Sequence, residues 1–159
     1  WVWLLVREHR IPCEAGRGYH PGVRSRKASG PIGRWREIFA GAPLMLPPEL
    51  IRRWPELAEA RYRCGGLPPR IGGWALGVRQ VAGIALGGTV WLASSSSLDP
   101  GLLLHELRHV QQFREGRFFA LRYAWETITR GYHANRFEVD ARKFAGRRVK
   151  GPSTPPDRA

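Results

Sequence analysis

Residues 99–116 read DPGLLLHELRHVQQFREG, and the fold that we predict for the second half of the chain rests mainly on the helix in this stretch. Asp99 followed by Pro100 is typical of a helix start, with Asp as the N-cap residue and Pro at the first helical position. Gly116 is typical of a helix end. The stretch therefore predicts one helix that begins at Pro100 and runs to Gly116. The apolar residues that recur at helical spacing on one side of it are Leu103, Leu107 and Val110.

The predicted helix contains the pattern H-E-x-x-H, formed by His105, Glu106 and His109. Four residues advance a helix by a net angle of about 40°, so both imidazoles project from one side, and Glu106 lies about 100° from His105. Zinc is commonly bound by neutral imidazole nitrogens, and a catalytic zinc site has three protein ligands and one position for water. The pattern predicts Zn²⁺ as cofactor, the two histidines as ligands and Glu106 as the general base. The alternative is an accidental match.

A third ligand must come from further along the chain. The metzincin pattern would continue with Gly and His at positions 112 and 115, but these positions are Gln112 and Glu115, so that class is excluded. Glu115 lies too far along the same helix to reach back to the histidines. The remaining carboxylate and imidazole candidates are Glu126, His133, Glu138 and Asp140.

Three segments resemble a known family: ALGGTVWL at 85–92, LLHELRHVQQ at 103–112 and NRFEVDA at 135–141. Together they resemble the bacterial zincin-like metallopeptidase domains of unknown function, which are of the gluzincin type. The resemblance covers residues 70 to 146. It implies an α+β zincin-like fold, with a small sheet whose β-hairpin precedes the metal helix and with two further helices after it. It also implies that Glu138 is the third zinc ligand and that the activity is hydrolysis of peptide bonds.

The residues themselves leave alternatives to Glu138 open. Asn135 and Glu138 also fit a helix N-cap with a carboxylate at the third helical position, where the carboxylate only reaches back to the cap amide. His133 is a rival ligand from a loop. Tyr132, His133 and Arg142 are candidates for stabilising an oxyanion or supporting the ligands. Better-known gluzincins carry an Asp four residues after the third ligand, but Arg142 stands there, and Asp140 faces away from Glu138 on a helix.

The remaining patterns predict a single domain over 1–146, with an irregular half at 1–70, a half at 71–146 that holds the hairpin and metal helices, and a disordered basic tail at 147–159. Trp1–Val6 is apolar and predicts a strand, and 7–33 predicts a long loop. Short helices are predicted at 34–40 and 48–63, a Gly-Gly hairpin at 84–92, and helices at 117–130 and 136–145. Phe118, Phe119, Tyr123 and Trp125 recur at near-helical spacing and are expected in the core.

The chain of 159 residues has a formal net charge of +13, and most of its cations are Arg. Such a charge favours acidic peptide substrates, nucleic acid or an anionic surface as partners. A nucleic-acid-associated module with a structural or degenerate metal site is therefore the alternative function. No signal peptide or transmembrane segment is visible, which slightly favours the cytoplasm, although a start at Trp rather than Met leaves a truncated N-terminus open. Cys13 and Cys64 leave both a disulfide and two thiols open.

Overall fold

The computed structural model of the chain describes residues 39–75 and 79–151. The predicted strand at 1–6, the loop at 7–33, most of the helix at 34–40, and Cys13 lie outside the described residues, as does the tail from 152 onward. The described residues form four strands, five α-helices and a short 3-10 helix at Pro55–Glu59. The elements are β1 (Ala42–Leu44), α1 (Pro48–Arg53), β2 (Arg61–Cys64), α2 (Pro68–Ala75), β3 (Gly83–Leu86), β4 (Thr89–Leu92), α3 (Pro100–Glu115), α4 (Phe119–Arg130) and α5 (Arg136–Lys150).

The strands form one mixed sheet in the order β1-β2-β4-β3. β1 pairs antiparallel with β2, β2 pairs parallel with β4, and β3 pairs antiparallel with β4. β3 and β4 are the two strands of the predicted hairpin, with Gly83 opposite Leu92 and Leu86 opposite Thr89. The prediction of an α+β architecture with a small sheet and a hairpin before the metal helix is confirmed.

The core lies between one face of the sheet and helix α3. Strand residues alternate between the two faces, as a sheet with one buried face requires. Besides Ala42, the buried strand residues are Leu44, Tyr62, Cys64, Ala85, Val90 and Leu92. They pack in one cluster with α3 residues that include Leu103, Leu104, Leu107 and Val110. The apolar side predicted for the metal helix is therefore the side that contacts the sheet.

The connection into α5 is fixed by Asn135, whose side chain is completely buried. Its Oδ1 accepts a hydrogen bond from the Phe137 amide at 2.9 Å, which caps the helix. Its Nδ2 donates to the Tyr123 carbonyl at 3.1 Å and to Thr127 Oγ1 at 2.8 Å, both on α4. Asn135 therefore joins the end of α4 to the start of α5, and it sets where the first turn of α5 faces.

Several predicted boundaries are wrong. The single helix predicted at 48–63 is α1, a 3-10 helix and strand β2, because Trp54–Pro55 interrupts the helix and the sheet draws Tyr62 and Cys64 into its ladder. The tail predicted to be disordered from 147 begins as helix, since α5 continues through Lys150. In the hairpin turn only Gly87 has a positive φ, of +58°, whereas the favoured two-residue hairpin turn that a Gly-Gly pair predicts has positive φ at both positions.

Among the described residues, none of the helices has both the length and the apolar character that crossing a bilayer requires.

Candidate metal centre

His105, His109 and Glu138 converge at the contact between α3 and α5. The Nε2 atoms of the two histidines are 3.2 Å apart. His109 Nε2 lies 3.0 Å from one carboxylate oxygen of Glu138, and His105 Nε2 lies 3.4 Å from the other. His109 and Glu138 are buried, and the His105 side chain retains 14% exposure. The helical spacing of the motif places the two imidazoles side by side, and the first turn of α5 brings the carboxylate to them.

These separations fit a small tetrahedral ion. Ligand atoms that lie about 2.0–2.2 Å from a tetrahedral zinc are separated from one another by about 3.3–3.6 Å. The three separations here are 3.0, 3.2 and 3.4 Å, so an ion fits among the three residues with little movement. Two imidazoles and one carboxylate form a site with two neutral ligands and one anionic ligand, and the side of His105 that remains exposed leaves access from solvent.

The tautomer of His109 is set by Gln112, one turn further along α3. The Gln112 amide nitrogen donates to the Phe137 carbonyl at 3.1 Å and to Asp140 Oδ2 at 3.0 Å. Its oxygen must then face His109 Nδ1, at 2.9 Å, and accept a hydrogen bond from the Nδ1–H group. In the neutral form of His109 the lone pair is therefore on Nε2, which points at His105 and Glu138. A cation at the centre would bind that lone pair.

Glu138 is held by neighbours on two helices and the loop between them. Tyr123 donates to its Oε1 at 2.7 Å, and Arg142 Nη1 lies 3.5 Å from its Oε2. Burial and then the nearby charge of this carboxylate raise the pKa of the Tyr132 hydroxyl, so Tyr132 lies close to Glu138. Burial by itself would raise the pKa of Glu138, but hydrogen bonds and charge from His105 and His109 hold that pKa well below its usual range in the metal-free protein. The carboxylate is thus ionised and ready to act as an oxygen ligand.

Glu106 lies on the side of α3 that faces the hairpin, and it is 5% exposed. Its carboxylate contacts Gly83 of β3 so closely that a methyl group at Gly83 would lie 2.9 Å from Oε1 and 3.0 Å from Cδ. Burial raises the pKa of Glu106, while the charges of His105 and His109 lower it in part. A buried carboxylate with a raised pKa beside paired imidazoles is typical of a catalytic base.

The other predicted residues lie in different places. Arg142 contacts Glu138 and Tyr132 lies near its carboxylate, so the structure places both beside the candidate third ligand. The exposed His133 contributes its carbonyl, which accepts from Arg142 Nη2 at 2.6 Å, and its imidazole is outside the cluster of three. Asp140 lies outside the cluster of three, but it reaches Gln112 at 3.0 Å and also accepts from Arg108 Nε at 2.6 Å.

Sequence reasoning missed three residues of this centre. Gln112 follows His109 by three positions on the same face of the helix, which is a signal that could have identified it. Tyr123 was expected in the core with its aromatic neighbours, yet its hydroxyl binds Glu138. That core prediction is wrong also for Phe118 and Trp125, which are 70% and 68% exposed, and it holds for Phe119. Gly83 carries no sequence signal for its contact with Glu106, because only the fold brings them together.

Comparison with known proteins yields no match: no family model, no curated protein and no solved structure is recognisably similar to the chain.

Proposed function

We propose that the chain is a zinc metallopeptidase of the gluzincin type with a zincin-like fold, in which His105, His109 and Glu138 hold the ion. The observation that carries the proposal is the convergence of these three side chains at separations of 3.0–3.4 Å. Two imidazoles and a carboxylate are a ligand set found in catalytic zinc sites, which keep a fourth position for water. The tautomer fixed by Gln112 also presents the ligating nitrogen of His109 to the centre.

The reaction follows from the positions of the chain's own groups. When bound, zinc acidifies a water molecule and polarises the carbonyl of the scissile peptide bond. Glu106 would accept the proton from that water and pass it to the leaving amine. Its burial raises its pKa towards the range in which a carboxylate both accepts and releases a proton near neutral pH.

The substrate we propose is an extended peptide that pairs with strand β3. This strand is at the edge of the sheet, and among the residues that the structure describes no further strand pairs with its outer edge. Gly83, on the same strand, contacts Glu106, so a peptide added along β3 would pass the proposed base. The net charge of +13 favours acidic peptides.

The test combines metal content with hydrolysis in the same sample. Zinc content of the purified protein is measured by elemental analysis, and cleavage is followed on an unstructured acidic protein such as casein. Glu106→Gln should retain zinc and reduce hydrolysis at least about a hundredfold, because it removes the general base and leaves the ligands in place. Glu49→Gln is the matched control, since Glu49 is a carboxylate on α1 with 63% side-chain exposure.

Equal hydrolysis by the wild type and by Glu106→Gln would contradict the proposal. Protein that holds no zinc but binds nucleic acid tightly, with a steep dependence on salt, would instead favour the alternative function of a nucleic-acid-associated module.

A further inference from the structure

Helix α4 has an apolar face that points away from the protein. Its inner face buries Phe119 and Glu126. On the opposite side, Leu121, Trp125 and Ile128 fall within an arc of about 60°, because their spacing of four and three residues repeats the helical turn. The outer stripe consists of these three residues and Phe118, which immediately precedes the helix. Their exposed fractions are 70% for Phe118, 70% for Leu121, 68% for Trp125 and 79% for Ile128.

The charges beside the outer stripe are positive. Residues 116–137 contain four arginines and one glutamate. That glutamate, Glu126, is turned inward at 7% exposure and lies 3.5 Å from Arg130 and 3.2 Å from Arg136. Arg117 and Arg122, near the start of the helix, have no carboxylate partner among the described residues. The outer surface of α4 therefore presents large apolar side chains and cations, and no exposed anion.

Charge and chemistry together select one kind of partner. A second copy of the chain would bring its own arginines against these, and like charges repel. The phosphates of nucleic acid would pair with the arginines, but nucleic acid would provide little apolar surface for Leu121 and Ile128 to contact. An anionic lipid surface satisfies both, since its phosphates attract arginine while the boundary of its acyl chains accepts Trp, Leu, Ile and Phe.

We propose that the outer stripe of α4 docks the protein on an anionic lipid membrane, with the helix lying parallel to the surface. Arg117 and Arg122 then contact lipid phosphates, and the stripe enters the boundary between headgroups and acyl chains. The inner face of the same helix carries Tyr123, which hydrogen-bonds Glu138. The docked orientation therefore holds the candidate metal centre one helix away from the membrane. This proposal does not depend on the proposed peptidase activity.

The experiment is sedimentation of the full chain with large unilamellar vesicles. One set contains phosphatidylcholine alone, and the other contains phosphatidylcholine with about 30 mol% phosphatidylglycerol. We expect partitioning onto the anionic vesicles at least about tenfold above the neutral ones. The triple variant Leu121→Ser, Trp125→Ser, Ile128→Ser should lose at least about tenfold of that partitioning, because three apolar side chains no longer enter the lipid. Far-UV circular dichroism verifies that the variant is folded.

The matched control changes three exposed apolar residues on other elements: Met45→Ser, Ile71→Ser and Val149→Ser, whose exposed fractions are 64%, 58% and 41%. It should bind the vesicles as the wild type does. A second measurement uses lipids brominated near the headgroup, which quench tryptophan fluorescence. Quenching should fall in Trp125→Phe, which keeps an apolar ring in the stripe and retains vesicle binding.

Two results would overturn the proposal. Vesicle binding that is equal in the stripe variant and in the wild type would mean that charge alone attracts the protein to lipid. A wild-type dimer in sedimentation equilibrium that the stripe variant dissociates, without vesicle binding by either, would assign the stripe to a second copy of the chain.

Discussion

Helices α3 and α4 follow one another in the chain and share a composition of leucine, arginine and aromatic residues, yet their environments differ. α3 buries eight of its 16 residues, between the sheet on one side and α5 on the other. α4 buries two of its 12 residues. The polar groups of α3 have partners inside the protein, as His109 has in Gln112, whereas the outer face of α4 is apolar and exposed.

The difference shows what helical periodicity leaves undetermined. Periodicity identifies an apolar side of a helix, but it does not identify what that side contacts. In α3 the apolar side packs against the sheet, and the side that carries His105 and His109 packs against α5. In α4 the inward side packs through Phe119, which is buried, and through Tyr123, which hydrogen-bonds Glu138. The remaining apolar side chains point outward. Four pairs of variants test this contrast.

The largest expected effect is on zinc binding, and it compares the proposed ligand Glu138 on α5 with His133 in the loop after α4. Glu138→Ala should weaken zinc binding at least about a hundredfold, because one of three ligands carries several of the roughly 10–16 kcal/mol with which proteins bind structural zinc. His133→Ala should leave the zinc content unchanged, because the His133 imidazole lies outside the cluster. Elemental analysis beside a thermal melt measures both. If Glu138 acts only as a capping partner, its loss costs about 1 kcal/mol and zinc is retained.

The next effect compares one leucine on each helix. Leu107 on α3 is completely buried, and Leu121 on α4 is 70% exposed. Leu107→Ala should lower the free energy of unfolding by about 2–5 kcal/mol, since it leaves a cavity in the core. Leu121→Ala should change it by no more than about 0.5 kcal/mol. Chemical denaturation of both variants tests the contrast, and equal losses would show that the outer stripe is covered in solution.

The sequence predicted the parts of the centre that depend on local geometry. The spacing of His105 and His109 needs only a helix to bring two imidazoles together, and Asp99–Pro100 marks where that helix begins. Glu138 entered the prediction through a family resemblance, because its approach to the histidines is a tertiary contact between α3 and α5. The residues themselves left His133 open as a rival ligand.

What the sequence could not predict depends on contacts between distant segments. Strand β2 was predicted as helix, since Arg61–Cys64 is too short for its alternation to outweigh the preceding helical pattern, and only pairing with β1 and β4 makes it a strand. Gly83 reads as an ordinary hairpin glycine until the fold places Glu106 against it. Tertiary structure overrode local propensity in β2, and at Gly83 it added a contact for which the sequence holds no local signal.

Gly83 provides the third comparison, on the side of α3 that faces the hairpin. Gly83→Ala introduces a methyl group 2.9 Å from Glu106 Oε1, so the carboxylate must move, and its overpacking should cost about 1–3 kcal/mol of stability. Hydrolysis should fall about tenfold or more with zinc retained, because Glu106 is not a ligand. Gly88→Ala on the same hairpin is the control, since the nearest atom to its methyl group is Arg61 Nη2 at 4.0 Å. Equal activity of the two variants would mean that the position of Glu106 does not matter.

The fourth comparison concerns Gln112, on the side of α3 that faces α5. Gln112→Ala removes the acceptor of the His109 Nδ1 proton, so the imidazole can rotate or adopt the other tautomer, and zinc affinity should fall about 10–100-fold. Gln111→Ala is the matched control, because Gln111 is the adjacent amide on the same helix and its contact with Glu59, at 3.5 Å, lies at the surface. Competition with a chromogenic zinc chelator measures the affinity of both variants.

Asp140→Asn extends this last comparison to the residue that holds Gln112, which in turn contacts His109. Asp140 Oδ2 accepts from Gln112 at 3.0 Å and from Arg108 at 2.6 Å, so its charge holds the amide that in turn holds His109. An asparagine keeps an oxygen acceptor but loses the charge that attracts Arg108, and the expected loss of zinc affinity is smaller than for Gln112→Ala. If Asp140 acts on the ion only through Gln112, then Asp140→Asn adds nothing in the Gln112→Ala background, and the two losses are not additive. Fully additive losses would show that Asp140 stabilises the α3–α5 contact by itself, and that the tautomer of His109 is set by Gln112 alone.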